Sequence, residues 1–376
     1  MECAHVAVVG GGPAGTAAAL TLVKAGLSVV LVERSRYGGE RMGETLPPAA
    51  RPLLAGLGVW NAFMEHRPVA VPATIAVWGS GTPYSNDTIF NPYGCGWHID
   101  RLRFDAMLAE EAQARGARLW RNMRVTECAR AQDGSWHLTA CSTDESVGEV
   151  RRLQTAFLVE AVGRASLSGG LSAQPRNQYD RLVGLVQFYS DPAREEVRDG
   201  CTWIESCERG WWYSVALPGS KAVTTFLTDA DLLDGGGRPG WLTTWNRALA
   251  QAAHTQSRIS AWKANGPPCL VSASTTFRPH SASKHQVLAG DAVSARDPLS
   301  GQGLCHALQG GVEAAQAVCA ALAGDADALK EYAARQKVGF ATYLSERAYF
   351  YGCEQRWSNA PFWQRRQVTP SAYEAA

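Results

Sequence analysis

The run His5 to Val9 breaks into Gly10-Gly11-Gly12-Pro13-Ala14-Gly15 and resumes as a helical pattern from Thr16 to Lys24. Gly26 stops that helix, and a second apolar run, Ser28 to Val32, ends in Glu33. A short apolar strand, a glycine turn, a helix and a second apolar strand predict a βαβ unit on a parallel sheet. Further along, Phe104 to Arg115 places Phe104, Leu108 and Ala112 on one helical face, with Gly116 as its stop. Leu119 to Val125, Trp136 to Cys141 and Val150 to Leu158 read as strands separated by polar turns, one of them Asp133-Gly134. They predict a β-meander laid against the first domain.

From Pro175 the pattern changes. Thr202 to Ile204, Trp211 to Leu217 and Ala222 to Thr228 are strand-like, and Trp203, Trp211, Trp212, Trp241, Trp245 and Trp262 fall between residues 176 and 277. A mainly antiparallel sheet inserted into the first domain is expected, with Gly235-Gly236-Gly237 as a loop and Trp241 to Ala253 as a helix across it. The strand Gln286 to Ala289 then delivers Gly290-Asp291, followed by Asp297-Pro298-Leu299-Ser300-Gly301-Gln302-Gly303 and a helix from about Leu304 to Leu322. The expected division is a discontinuous dinucleotide-binding domain over 1–72, 98–175 and 278–325, a substrate domain over 73–97 and 176–277, and an aromatic-rich helical segment over 326–376.

Composition narrows the partners. Lys plus Arg number 36 against 35 Asp plus Glu, so no global field draws in nucleic acid or an anionic membrane. No apolar run reaches the ~20 residues of a membrane span, and a cytoplasmic location is expected. Ten cysteines are scattered without a Cys-x-x-Cys or a Cys/His cluster, so neither a disulfide framework nor a metal site is expected.

The glycine turn carries the first chemistry. Gly10 permits the tight strand-to-helix turn, Gly12 lets backbone approach a pyrophosphate, and Gly15 lets the helix pack on the strand. The phosphates then meet free N–H groups at a helix N-terminus, with Pro13 and Ala14 in its first turn. Glu33 is placed to accept ribose hydroxyls and to repel a 2′-phosphate, which leaves FAD or NAD. The loop Arg41-Met42-Gly43-Glu44-Thr45-Leu46-Pro47-Pro48 excludes regular helix and suits a ligand-facing turn.

Three separated motifs together resemble the glutathione-reductase-like flavoproteins of the p-hydroxybenzoate hydroxylase group. They are Gly10-x-Gly12-x-x-Gly15 with Glu33, Arg101-x-x-Phe104-Asp105, and Gly290-Asp291 followed by Pro298-x-x-Gly301-x-Gly303. The resemblance implies an α/β fold: a glutathione-reductase-like FAD-binding domain with parallel sheet and β-meander, an inserted antiparallel substrate domain and C-terminal helices. It implies non-covalent FAD, with Asp291 on the ribityl chain and Arg101 near the pyrophosphate or adenosine. Pro298, Gly301, Gly303 and Leu304 would lie on the pyrimidine side of the flavin. Arg34, Arg41, Gly43, Val125 and Gly163 complete the expected cofactor contacts.

Within that group, Gly43-Glu44-Thr45-Leu46 and Gly210 to Pro218 look like the branch that contains the flavin-dependent tryptophan halogenases. Those enzymes carry Trp-x-Trp-x-Ile-Pro where this chain has Trp211-Trp212-Tyr213, and a lysine where Thr74 to Ser80 holds Trp78. A closer likeness is to the bacterial flavoproteins that mature tryptophylquinone cofactors of amine and amino-acid oxidases. That likeness implies a monooxygenase hydroxylating an indole-type ring through a flavin C4a-hydroperoxide, with a tryptophan of an oxidase precursor among the substrates. Glu44 and Asp297 are the expected catalytic carboxylates. Aromatic walls from the inserted domain are expected to keep the pocket dry, with one or two of its tryptophans in the pocket and the rest in the core. The stretch around Trp357 and Trp363 is expected to pack as a terminal helix, or to form part of a docking surface where the substrate is a whole protein. Reduction would come from NAD(P)H bound transiently or from an external reductase. Two alternatives stand beside this reading: a halogenase or other FAD oxidoreductase on a small aromatic molecule, and a non-catalytic FAD-binding maturation partner.

Overall fold

The computed structural model describes residues 1–190, 200–235 and 237–367. Glu2–Val9 lies between Val29–Glu33 and Val150–Glu160, parallel to both, and Arg118–Arg121 and Gln286–Leu288 extend the parallel set on either side. Alternate residues explain the continuous apolar runs. Val6, Val8, Val29 and Leu31 point into a core under the helices, whereas Ala7, Val9, Val30 and Val32 point into a second core with Trp120, Trp136 and Leu138. Strands buried on both faces have no polar alternation to show.

The second core lies under the meander, in which Met123–Arg130, Trp136–Ser142 and Val150–Glu160 pair antiparallel. The expected single strand Leu119 to Val125 is in fact two. Asn122, at φ 62°, turns the chain out of the parallel sheet and into the meander. Asparagine tolerates that left-handed conformation better than most side chains.

Leu182–Ser190, Lys221–Asp229, Gly210–Leu217, Thr202–Cys207, Ala73–Val77 and Tyr84–Asp87 follow one another across a second sheet. Its pairings are antiparallel except for Thr202–Cys207 against Ala73–Val77. Consecutive Trp211 and Trp212 therefore face opposite sides. Trp212 packs on Phe226 and Trp245 beneath the helix Gly237–Leu249. That helix starts before the expected Trp241 and ends before Ala253, where a second one, Ala253–Ile259, begins.

Gly303–Leu322 and Ala328–Gly352 are the long C-terminal helices. The expected helical segment 326–376 extends past the described residues at 368–376, and Gly236 of the glycine loop also lies outside them. After Cys353 the chain crosses the Trp211 face of the second sheet, where Phe362 and Trp363 are wholly buried with Trp78, Trp211 and Tyr351. Trp363 donates its indole N–H to the Cys207 carbonyl at 3.0 Å. Trp363 therefore packs in the core and takes no part in the docking surface considered for a protein substrate.

Asp229 and Asp231 also serve this crossing. Arg365 and Arg366 converge on Asp229, and Arg365 reaches Asp231 at 2.7 Å. Among the described residues no helix is long and apolar enough to cross a membrane, and no His, Cys, Asp and Glu side chains converge as a metal set.

Candidate active site

The glycine turn after Glu2–Val9 and the loop before Gly303–Leu322 open onto one cavity of about 640 Å³. Gly10, Gly12, Pro13, Ala14, Glu33 and Arg34 line its first part, with Arg41, Gly43, Arg101, Val125 and Gly163 beyond them. Asp291, Pro298, Gly301, Gly303 and Leu304 line the far part, where Glu44 and Asp297 also reach the wall. Of the residues expected from sequence, Gly15 is the one that is off the wall. Its missing side chain is needed for packing, because a Cβ there would collide with the Gly10 carbonyl.

Gly12 and Gly303 are glycines for a different reason. Neither has a left-handed φ, and a Cβ on either would meet nothing within 4 Å. Each stands at the start of a helix, Pro13–Lys24 or Gly303–Leu322, and both face the cavity. A side chain would fill a cradle in which bare backbone N–H groups and a positive helix end are otherwise open to an anion. The residues present thus fit a dinucleotide with negatively charged or carbonyl-rich groups at two places.

Glu33 is held for its task by the backbone. Its two oxygens accept from Gly11 N–H at 2.7 Å and Ser35 N–H at 2.9 Å, leaving lone pairs on each oxygen for ribose hydroxyls. Tyr37 donates its hydroxyl to the Gly11 carbonyl at 2.9 Å, and its ring lies between the Arg41 and Arg121 guanidiniums. Burial, with the Glu33 charge, raises the Tyr37 phenol far above its usual range, so it remains a donor.

Asp105 organises the neighbouring cations. It is fully buried, with Arg41 at 2.8 Å and Arg101 at 3.1 Å. Arg101 also donates to the Met42 and Gly43 carbonyls, which fixes the loop carrying Glu44. Asp105 closes the Arg101-x-x-Phe104-Asp105 motif, which by itself gives it no role. Two nearby arginines that need a buried counter-charge were the missed signal.

Glu44, Tyr213 and Thr225 also line the cavity. Glu44 is 2% exposed, and neither carboxylate oxygen has a well-aligned hydrogen-bond partner. Burial pushes its pKa up to about 7, against weaker pulls from its own backbone N–H, from the Arg101 charge and from the Gly43 N–H. Beside it, Thr45 Oγ1 and the Tyr213 hydroxyl lie 2.7 Å apart. Burial, then the Glu44 charge, keeps Tyr213 protonated well above its normal range. Thr225 Oγ1, on the same wall, is buried without a partner.

Two expectations change here. Asp297 is 1% exposed, but its Oδ1 accepts from Leu299 N–H at 2.9 Å. Its Oδ2 accepts from the Tyr351 hydroxyl at 2.8 Å and lies 3.4 Å from Arg347 Nε. A carboxylate so engaged orders the flavin-side loop, and the geometry favours Glu44 as the reactive group. Against the one or two tryptophans expected in the pocket, the wall has none: among the described residues Tyr213 is the lone Phe, Tyr or Trp on it. Trp211 shares its sheet face with Tyr213 but is covered by Tyr351 and Trp363.

A family model described as an FAD binding domain matches residues 3–339. The putative FAD-dependent oxidoreductase LodB of Marinomonas mediterranea is 28% identical over 100% of both chains. A flavin-dependent halogenase of Armillaria mellea, armH4, is 25% identical over 85% of this chain, and the match covers 66% of the halogenase. Among solved structures, the myxobacterial chondrochloren halogenase CndH superposes with a TM-score of 0.87 at 20% identity, covering 100% of this chain and 88% of that one. The peptidyl tryptophan dihydroxylase QhpG superposes with a TM-score of 0.78 at 23% identity, covering 98% and 80%. At those identities the structural likeness speaks for the fold.

Proposed function

The chain belongs to the FAD-binding domain family, and from that premise we propose that it is an FAD-dependent monooxygenase that hydroxylates an indole-type aromatic ring. The observation that carries this reading is Glu44, a buried carboxyl on the cavity wall with no well-aligned side-chain or backbone partner. A group kept half-protonated near neutral pH suits a general base that must both take up and release a proton. Bound FAD, once reduced, would supply activated dioxygen for insertion of one oxygen atom.

The chain's own residues do the rest. Gly12 and Gly303 would present backbone N–H groups to the pyrophosphate and to the pyrimidine edge, Glu33 would hold the adenosine ribose, and Asp291 the ribityl chain. Glu44 accepts the N–H of an indole in the ground state and the ring proton as aromaticity returns. The Tyr213 hydroxyl, anchored to Thr45, orients the ring from the sheet side.

Hydroxylation is favoured over halogenation by a specific absence. Among the described residues no lysine lines the cavity, and Trp78, in the stretch Thr74 to Ser80 that corresponds to the one carrying the halogenases' lysine, is packed against Trp211, Tyr351 and Trp363. The likeness to a peptidyl tryptophan dihydroxylase supports a tryptophan within a quinocofactor oxidase precursor as the substrate. Electrons would arrive from NAD(P)H or a separate reductase, and the reaction would take place in the cytoplasm.

The test is anaerobic reduction of the yellow holoprotein, followed by oxygen and a tryptophan-bearing peptide with halide present. A product heavier by oxygen supports the proposal. A halogenated product moves the chain to the halogenases, and reoxidation without any modified product, with precursor peptides and free indoles alike, leaves a non-catalytic flavin carrier.

A further inference from the structure

Six arginines line the cavity; Arg34 and Arg124 are exposed, and the partners of three others make Arg296 conspicuous. Arg41 and Arg101 hold Asp105, and Arg164 donates to the Ser274 carbonyl and lies 3.9 Å from Asp291. Arg296 lines the same cavity, yet its side chain has no hydrogen bond or ion pair to any described residue, and its Nε is buried without an acceptor. What it has is a platform. Its guanidinium carbon lies 5.0 Å from the Tyr343 ring centre, and the Tyr343 hydroxyl is fixed by Asp297 N–H at 2.7 Å and Thr275 Oγ1 at 3.1 Å.

Its surroundings do not neutralise it at close range. Asp291, Glu313, Glu346 and Tyr343 act on it electrostatically, but none forms an ion pair with it. His306, on the first turn of Gly303–Leu322, contacts Ser294 Oγ at 3.1 Å. Burial first, and Arg296 second, push that imidazole down to about 3, so it adds no charge. A partly desolvated cation with an unmatched donor costs free energy until an acceptor arrives.

We infer that Arg296 is a positioning residue for the negative charge that reduction places on the coenzyme ring. Arg296 belongs to the loop that carries Asp291, Pro298 and Gly301, just before the positive end of the helix from Gly303. Two fixed positive sources on the cradle side add where the ring gains charge. This requires FAD but not the proposed substrate, so it stands or falls separately from the hydroxylation reading.

The experiment compares wild-type holoprotein with Arg296→Met and Arg296→Lys. Affinity for oxidised FAD is read by fluorescence, the two-electron potential by dithionite titration against dyes, and the ionisation of reduced FAD by its absorbance across pH. For Arg296→Met, affinity for reduced FAD is expected to fall about tenfold more than affinity for oxidised FAD, which lowers the potential by about 30 mV. The reduced coenzyme should hold its proton to higher pH, and Arg296→Lys should recover most of both effects. If Arg296→Met does not fold, the lysine variant still shifts both readouts partway. An unmoved potential and reduced spectrum overturn the inference, and weaker binding of indole-3-acetate in that case would give Arg296 to the substrate.

Discussion

The carbonyl oxygen of Ala14 occupies the place where a side chain on Gly311 would begin: a Cβ there would stand well inside the 3.0 Å that real Cβ atoms keep. The two residues belong to helices from opposite ends of the chain, Pro13–Lys24 and Gly303–Leu322. Gly290 repeats the relationship, with its Cβ falling 2.7 Å from Ala14 Cβ. Absent side chains thus set the distance between the two halves of the FAD cradle. Replacing Gly311 by alanine would gain about 1 kcal/mol of helix propensity, but the obstacle is backbone and cannot swing aside. Overpacking at about 1–3 kcal/mol should win. Gly311→Ala is expected to lower both the melting temperature and the flavin absorbance per mole of protein, and wild-type values for both would show that the helices part freely.

Glu44 makes stability and function pull in opposite directions. Burial raises its carboxyl from 4.5 to about 7, so between those values the unfolded chain gives up its proton while the folded chain keeps it. Stability therefore falls as pH rises through that window and levels off above about 7, after a loss on the order of 3 kcal/mol. Glu44→Gln carries no such charge. It should melt with wild type near pH 4 and above it near pH 8, where the substitution removes the penalty. The same variant should lose the limb of the hydroxylation rate that rises through about pH 7. Melting curves that run parallel across pH would mean that Glu44 finds a partner in solution.

Asp297 gives the contrasting case. Its oxygens already serve Leu299, Tyr351 and Arg347, and Arg347 is shared with Asp180 at 2.9 Å. Removing the Asp297 charge leaves Arg347 with its second partner, so Asp297→Asn should cost nearer the lower end of the roughly 3–5 kcal/mol seen when buried pairs are broken. The pH limb assigned to Glu44 should stay where it is. A shift of that limb in Asp297→Asn, with stability unchanged, would return Asp297 to the chemistry.

The sequence was most legible where one residue type answers one local demand. Gly10, Gly15 and Glu33 could be read because a tight turn, a close helix and an acidic strand end each leave a mark within a few positions. Arg101 and Asp291 were legible through motif spacing. The wall around Tyr213 and Thr225 was not, because these residues come from separate strands whose pairing decides what faces the cavity. Trp211 shows the limit best: it lies two positions from Tyr213 on the same face, but the returning segment around Trp363 covers it. No periodicity near residue 211 announces a partner some 150 positions away. Arg296 escaped notice for the opposite reason, since its mark is a missing partner.

The returning segment is secured by one buried ion pair whose worth can be separated from its geometry. Arg366 and Asp229 are each 2% exposed and 2.6 Å apart, and the guanidinium also lies 3.7 Å from the Phe362 ring centre. Arg365 reaches the same carboxylate from a half-open position at 42% exposure, so solvent screens what it could replace. Arg366→Met keeps the packing on Phe362 and strands most of the Asp229 charge, and should cost about 3 kcal/mol. Adding Asp229→Leu removes the stranded charge as well. The double variant should recover most of the lost stability, because a desolvated pair contributes little beyond a hydrophobic pair of similar volume. Denaturant unfolding of the two variants decides it: a double variant no more stable than Arg366→Met would mean that the pair itself, rather than the apolar cluster of Trp78, Trp211 and Trp363, holds the segment down.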